Sequence, residues 1–112
     1  MKTFSVIVPT CDRTEALALC LARLAPGAQA LPAAEYEVIV TDDSASGKAP
    51  PLIRRDFPWA RWVPGPRGGP AMNRNHGAEH ATGAWLAFVD DDCLPAPGWL
   101  SGYLRAAGSR PE

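Results

Sequence analysis

Asp90-Asp91-Asp92 is the densest chemical signal in the sequence. Three adjacent carboxylates repel one another, and a hard divalent cation with oxygen ligands is the partner that relieves the repulsion. They follow residues 84–89, a short apolar run with no turn residue inside it. Such a run suits a strand buried on both faces of a parallel sheet. The acids then stand where a buried strand reaches solvent, which in open α/β sheets is the ligand-binding edge. The structural alternative is an acidic turn that caps the next helix.

Asp42-Asp43 ends a second apolar run in the same way, Asp42 as a cap for the loop and Asp43 with the stronger claim to a ligand. His76 and His80 lie four residues apart on one helical face, but Glu79 does not stand where a zinc-protease pattern needs it, so a partly exposed helical pair is expected. Trp59 and Trp62 around Arg61 are read as packing at a strand, and Arg54-Arg55 as a solvated turn. Cys11, Cys20 and Cys93 have no metal-site spacing and are odd in number, which argues against a disulfide framework and for a reducing compartment.

The elements that must position these groups alternate. Residues 4–8 form a β-rich strand stopped by Pro9. Asp12 and Glu15 have capping-box spacing, opening a helix with Leu17, Cys20, Leu21 and Leu24 on one face and Pro26-Gly27 at its end. Residues 36–41 make a second strand. Residues 48–58 are either a short helix begun at Pro50-Pro51 or a loop, and residues 61–63 a brief third strand. After a flexible Arg67-Gly68-Gly69 loop, Pro70 begins a helix to about residue 81, with Gly83 just past its end. Residues 98–107 read as a last helix. Strand and helix in alternation imply an α/β fold, a Rossmann-like, mostly parallel sheet of about four strands flanked by helices. The strand exits at residues 11–13, 42–43 and 90–92 then line one crevice, suited to a nucleotide whose phosphates need donors and a counter-cation.

The bounds agree. A chain of 112 residues is one domain with a modest core. A formal net charge of −1 speaks against a nucleic-acid or anionic-membrane surface. The opening apolar run is too short for a signal peptide or a transmembrane segment, so a soluble, cytoplasmic protein is expected.

Four blocks together carry a family resemblance: Ser5-Val6-Ile7-Val8-Pro9-Thr10-Cys11-Asp12-Arg13, Val38-Ile39-Val40-Thr41-Asp42-Asp43-Ser44, Gly69-Pro70-Ala71-Met72-Asn73-Arg74-Asn75-His76-Gly77-Ala78, and residues 83–92. In this order they resemble the amino-terminal, nucleotide-sugar-binding half of a family 2 glycosyltransferase with the GT-A fold. The resemblance implies that Asp43 bonds the nucleotide base and that Cys11 sits beside it, where an aromatic is common. It places Pro9, Thr10 and Arg13 in the first nucleotide loop and Arg74 near the diphosphate. Asp90, Asp91 and Asp92 match the Asp-x-Asp signature, Asp92 as direct ligand of Mn²⁺ or Mg²⁺ and Asp90 or Asp91 reaching the ribose or the metal.

Asn73 departs from the small residue usual before Arg74. The larger departure is length: residues 1–112 correspond to a single donor-binding domain, truncated relative to a full GT-A domain. The resemblance implies metal-dependent binding of a nucleotide-diphosphate sugar of the UDP or GDP type for inverting transfer to an unknown acceptor. No residue here matches the general base, so no catalytic residue is assigned. The alternative is a non-catalytic nucleotide-binding or protein-interaction domain that retains the fold. A nucleotidyltransferase would want a Gly-rich loop after the first strand, which Thr10-Cys11-Asp12-Arg13 does not supply. Because residues 84–89 could lack a neighbour on one side, a homodimer through an exposed sheet edge is also expected.

Overall fold

The structure, a computed structural model, describes residues 2–109, with side chains as far as residue 106. In chain order it comprises β1 (Phe4–Thr10), α1 (Thr14–Leu24), β2 (Tyr36–Asp42), α2 (Ala49–Asp56), β3 (Arg61–Pro64), α3 (Pro70–Glu79), β4 (Trp85–Phe88) and α4 (Trp99–Ser109). All strands are parallel and lie in the order β3-β2-β1-β4. The chain therefore walks outward from β1 to β3 and then returns to the other side of β1. That reversal creates a topological switch point beside β1, the place where ligands bind in open α/β sheets.

Alternation along the strands sorts the core into two layers. Phe4, Val6 and Val8, with Val38, Val40 and Ala87, cluster with Leu17, Cys20, Leu21 and Leu24 of α1 and Ile53 of α2. Ile7, Ile39 and Val63 form the opposite layer, with Ala81 against them. Burying a side chain such as Leu17 or Leu21 is worth about 1.5–3 kcal/mol, so this face of α1, which shows no side-chain cap, is held by packing. The Tyr36 hydroxyl donates to the carbonyls of Leu24 and Ala25 at 2.7 and 3.2 Å, satisfying the end of α1 from the first residue of β2. Burial raises the Tyr36 phenol above its ordinary value, which keeps it a donor. Gln29, also buried, donates to the carbonyls of Arg23 and Ala96 and accepts from the Leu100 N–H, joining α1 to the start of α4.

Several expectations are corrected. Pro9 does not end the first strand, which continues to Thr10. Ile7 accepts from the Val89 N–H on the β4 side, so two residues on Pro9 turns its missing donor to that same side, where β4 has already ended. The Asp12–Glu15 capping box is absent: Arg13 is the N-cap without a side-chain bond. Asp12 instead takes a left-handed φ of 53° and donates its N–H to Ser44 Oγ at 2.6 Å. Arg54 and Arg55 lie in the last turn of α2, since Pro50 and Pro51 open a helix there. α3 stops at Glu79 with His80 as its cap, and Gly83 serves a different purpose from ending it. A Cβ on Gly83 would lie 2.6 Å from the β1 backbone at Phe4 and Ser5, so a side chain there would separate the strands.

The strand after Gly83 is the clearest correction. It stands at the edge, as the possible missing neighbour suggested, with β1 alone beside it among the described residues, but it is not buried on both faces. Ala87 is buried, but Trp85, Leu86 and Phe88 are 47%, 46% and 43% exposed. α3 packs over β1 and β2, leaving the far side of β4 open. Trp85 donates its N–H to Thr3, just before β1, and Val89 to Ile7 of β1, so the alternate residues Leu86 and Phe88 turn their backbone outward.

Candidate functional site

The C-terminal ends of β1, β2 and β4 meet the N-terminal end of α3 around a crevice of about 350 Å³. Pro9, Thr10, Cys11 and Arg13 come from the exit of β1, and Asp43 from the exit of β2. Pro70, Asn73 and Arg74 come from α3, and Asp90, Asp91 and Asp92 from the exit of β4. Every residue assigned to the site from sequence thus reaches one cavity. Asp12 and Asp42 do not line it. Asp42 is buried, accepting from Trp62 Nε1 at 3.0 Å and from the Ser44 N–H at 2.9 Å, which makes it a loop brace.

The three acids separate into two kinds. Asp91 is 5% exposed, and both its oxygens are engaged: Oδ2 accepts from the Thr10 hydroxyl at 2.8 Å and Oδ1 from Arg13 Nη1 at 3.3 Å. Asp90 and Asp92 are exposed, with long ion pairs, Arg74 to Asp90 at 3.6 Å and Arg13 to Asp92 at 3.8 Å, and with Asp92 Oδ1 accepting weakly from the Cys93 thiol at 3.9 Å. Ligand atoms of Asp90, Asp92 and Cys93 all lie within 4.8 Å of one another. The buried middle acid ties the exit of β4 to that of β1, and that tie leaves its two neighbours facing solvent.

Asn73 is the residue that sequence reasoning undervalued. It is buried, accepts from the Thr41 hydroxyl at 2.7 Å, and donates to the carbonyls of Thr41 at 3.0 Å and Thr10 at 3.4 Å. One amide thereby fixes α3 against the ends of both central strands. A usable signal existed: Asn73 and Gly77, four apart, are the two buried residues of α3, and a polar residue on a buried helical face needs partners. The loop before α3 is also pinned, since the Arg67 N–H donates to Asp43 Oδ1 at 2.8 Å.

Two thiols near the crevice, of Cys11 and Cys20, are pushed toward their protonated form. Slight desolvation, then the charges of Asp12, Asp43 and Asp42, raises the Cys11 thiol above its ordinary value. Burial, with the charges of Cys93 and the three acids, pushes Cys20 up to about 12. His76 and His80 stack edge to face at 4.9 Å between centroids, and His80 Nδ1 lies 3.1 Å from Arg61 Nη2. Trp59 and Trp62 pack against the larger core layer. At the opposite end of the sheet, burial resists ionisation of Glu37. Hydrogen bonds from the Ser5 hydroxyl and from the N–H and hydroxyl of Thr82 outweigh it and hold the carboxyl below its usual range.

Fold and crevice together define a doubly wound α/β domain with an acidic site at its switch point. The chain belongs to glycosyl transferase family 2, whose sequence model matches residues 5–111, and its fold is GT-A. Glycosyltransferase AglE of Haloferax volcanii is 35% identical over 101 residues, 86% of this chain and 32% of that protein. S. aureus TarS 1–349, solved in complex with UDP-GlcNAc, superposes with a TM-score of 0.77 at 29% identity, over 94% of this chain and 30% of that one. The mannosyltransferase PcManGT from Pyrobaculum calidifontis, solved in complex with GDP-Man and Mn²⁺, gives 0.80 at 29% identity, over 91% of this chain and 31% of that one. The chain thus spans about a third of the length of these relatives.

Proposed function

We propose that the crevice binds a nucleotide-diphosphate sugar of the UDP or GDP type together with Mn²⁺ or Mg²⁺, as donor for inverting transfer to an acceptor. The observation that carries this reading is the charge layout: four carboxylates, of Asp43, Asp90, Asp91 and Asp92, and two guanidiniums, of Arg13 and Arg74, around one cavity. Alone, the acids would repel a diphosphate; a divalent cation among them removes that conflict. The residues fit such an ion. Asp90 and Asp92 offer exposed carboxylate oxygens in one cluster, the donor type Mn²⁺ and Mg²⁺ prefer. Asp92 is the direct ligand and Asp90 its companion. When bound, the ion offsets the charge of the departing nucleoside diphosphate.

The chain's own groups divide the remaining work. Asp91 positions the acidic loop through Thr10 and Arg13. Arg74 and the positive end of α3, which opens at Pro70, attract the diphosphate. Pro9, Thr10, Cys11 and Asp43 form the wall for ribose and base. Complexes of TarS with UDP-GlcNAc and of PcManGT with GDP-Man and Mn²⁺ support the reading of the crevice as a nucleotide-sugar site.

The acids of the crevice are occupied by these duties, so the base that deprotonates the acceptor is proposed to come from outside residues 1–112, which act as the donor-binding part of a larger GT-A domain. Calorimetric titration with UDP- and GDP-sugars, with and without Mn²⁺, tests this. Binding of one that needs Mn²⁺ and is lost in Asp92→Ala is expected; sugar transfer to an acceptor by this chain alone would overturn the donor-only part.

Two smaller proposals follow from the same structure. The open edge of β4, with Leu86 and Phe88 exposed, is where two copies would pair; a monomeric sedimentation profile at high concentration contradicts this. Three free cysteines support a cytoplasmic setting, and no helix among the described residues is long and apolar enough to cross a membrane. Association through β4 that ignores nucleotide and metal would instead favour an interaction domain.

A further inference from the structure

We propose that Cys93 is a third protein ligand of the divalent ion, beside Asp90 and Asp92, and that its sulfur turns the site toward transition metals such as Mn²⁺, Co²⁺ and Zn²⁺ and away from Mg²⁺. This rests on the crevice being a cation-assisted donor site. It adds a ligand that the acidic triplet does not contain.

A turn brings the sulfur to the acids. The Cys93 N–H donates to the Asp90 carbonyl at 3.0 Å, closing residues 90–93 on themselves. Asp91, inside that turn, is drawn down to Thr10 and Arg13, which leaves Asp90, Asp92 and Cys93 as the exposed side chains of the turn. One ligand atom from each lies within 4.8 Å of the other two, and Cys93 Sγ stands 3.9 Å from Asp92 Oδ1. Atoms that share one ion at bond lengths of about 2.0–2.3 Å are at most about 4.6 Å apart, so small rotations of exposed side chains suffice. Asp90 and Arg74 border both the crevice and a groove of about 620 Å³ beside it, and Cys93 lines that groove. The cluster holds neither Cys11 nor Cys20, and Cys20 is buried with its thiol 3.7 Å from the Asp90 carbonyl.

Sulfur changes which ion fits. Two carboxylates and a diphosphate make an all-oxygen site, which suits Mg²⁺ and Mn²⁺ alike. A thiolate is a soft ligand that favours Zn²⁺ and its neighbours in the transition series, whereas Mg²⁺ keeps to oxygen and water in a strict octahedron. Coordination replaces the proton of the thiol, which leaves to solvent as the bond to the metal forms. Cysteine spacing along the chain carries no sign of such a site, because a single sulfur joins two carboxylates through a turn.

Titration of the reduced, purified protein with Co²⁺, alone and with UDP or GDP present, tests the ligand directly, with binding read by calorimetry and the bond by absorption. The near-ultraviolet charge-transfer band of a Co²⁺–thiolate bond is expected. Cys93→Ser should lose the band and keep its melting transition, because the side chain is exposed. Co²⁺ that binds without the band, or a band that survives in Cys93→Ser, overturns the proposal and leaves the ion site standing; no Co²⁺ binding under any of the three conditions overturns both. Competition gives a second result. Zn²⁺ should displace Co²⁺ from the native protein at least about a hundredfold more effectively than Mg²⁺ does, and Cys93→Ser should shrink that preference at least about tenfold. A preference that the substitution leaves unchanged overturns the proposal.

Discussion

At the C-terminal ends of β1, β2 and β4, buried polar groups answer one another across the sheet: Asp91 to Thr10 and Arg13, Asn73 to Thr41 and Thr10, Asp42 to Trp62. Along the outer side of β4 the side chains are apolar, with Trp85, Leu86 and Phe88 exposed and Tyr103 of α4 in ring contact with Phe4 and Trp99. Both regions include the end of the same short strand. The contrast shows what a charged site needs that a packing edge does not. Charges facing solvent can be held still only if neighbouring polar groups are fixed by directional bonds, whereas apolar surface waits for whatever covers it.

The comparison is sharpest between adjacent acids. Asp92→Ala is expected to weaken Mn²⁺-dependent nucleotide binding by about a hundredfold or more while changing stability by less than about 0.5 kcal/mol, as a change at an exposed side chain should. Calorimetry and a urea melt read the two effects. Asp91→Ala should do the reverse in kind: it leaves the Thr10 hydroxyl without its partner and Arg13 with the longer pair to Asp92, and costs about 1–3 kcal/mol, seen in the urea midpoint. Equal effects of the two substitutions on stability would erase the distinction drawn between them.

Asn73→Ala belongs with Asp91, at about 1–3 kcal/mol, because the Thr41 hydroxyl and the Thr41 and Thr10 carbonyls lose the bonds of one buried amide at once. Leu86→Lys on β4 is expected to change stability by less than about 0.5 kcal/mol and to reduce self-association in sedimentation. The smallest effect concerns Glu37, whose carboxyl is held low in the folded state. Its contribution is complete above the ordinary value of 4.5 and is lost as the pH falls through the lower folded value. Glu37→Gln should therefore flatten the fall in melting temperature below about pH 5.

Strand ends were readable in the sequence because apolar runs that stop on acids carry their meaning locally; Asp43 and the three acids at residues 90–92 needed only the alternation of elements to be brought together. Asn73, Gln29, Gly65 and Arg67 were not, since each acts on a partner distant along the chain and has no local pattern of its own. The capping box failed for a related reason. Asp12 and Glu15 have the right spacing, but Ser44 takes the Asp12 N–H and turns that residue into a left-handed loop. The apolar run at residues 84–89 misled about burial because a run of this kind reports hydrophobicity, and which side of a strand is covered depends on the strand order.

The central claim, that the polar edge is a cation-assisted donor site, is tested most directly by a thermal-shift titration with UDP and GDP, each with and without Mn²⁺. A nucleotide at a hundred times its dissociation constant adds about 2.7 kcal/mol, a rise of roughly 10 °C in a domain of this size. A rise for one nucleotide that requires Mn²⁺ is the result expected. No rise with either nucleotide, or a rise indifferent to the metal, would contradict it.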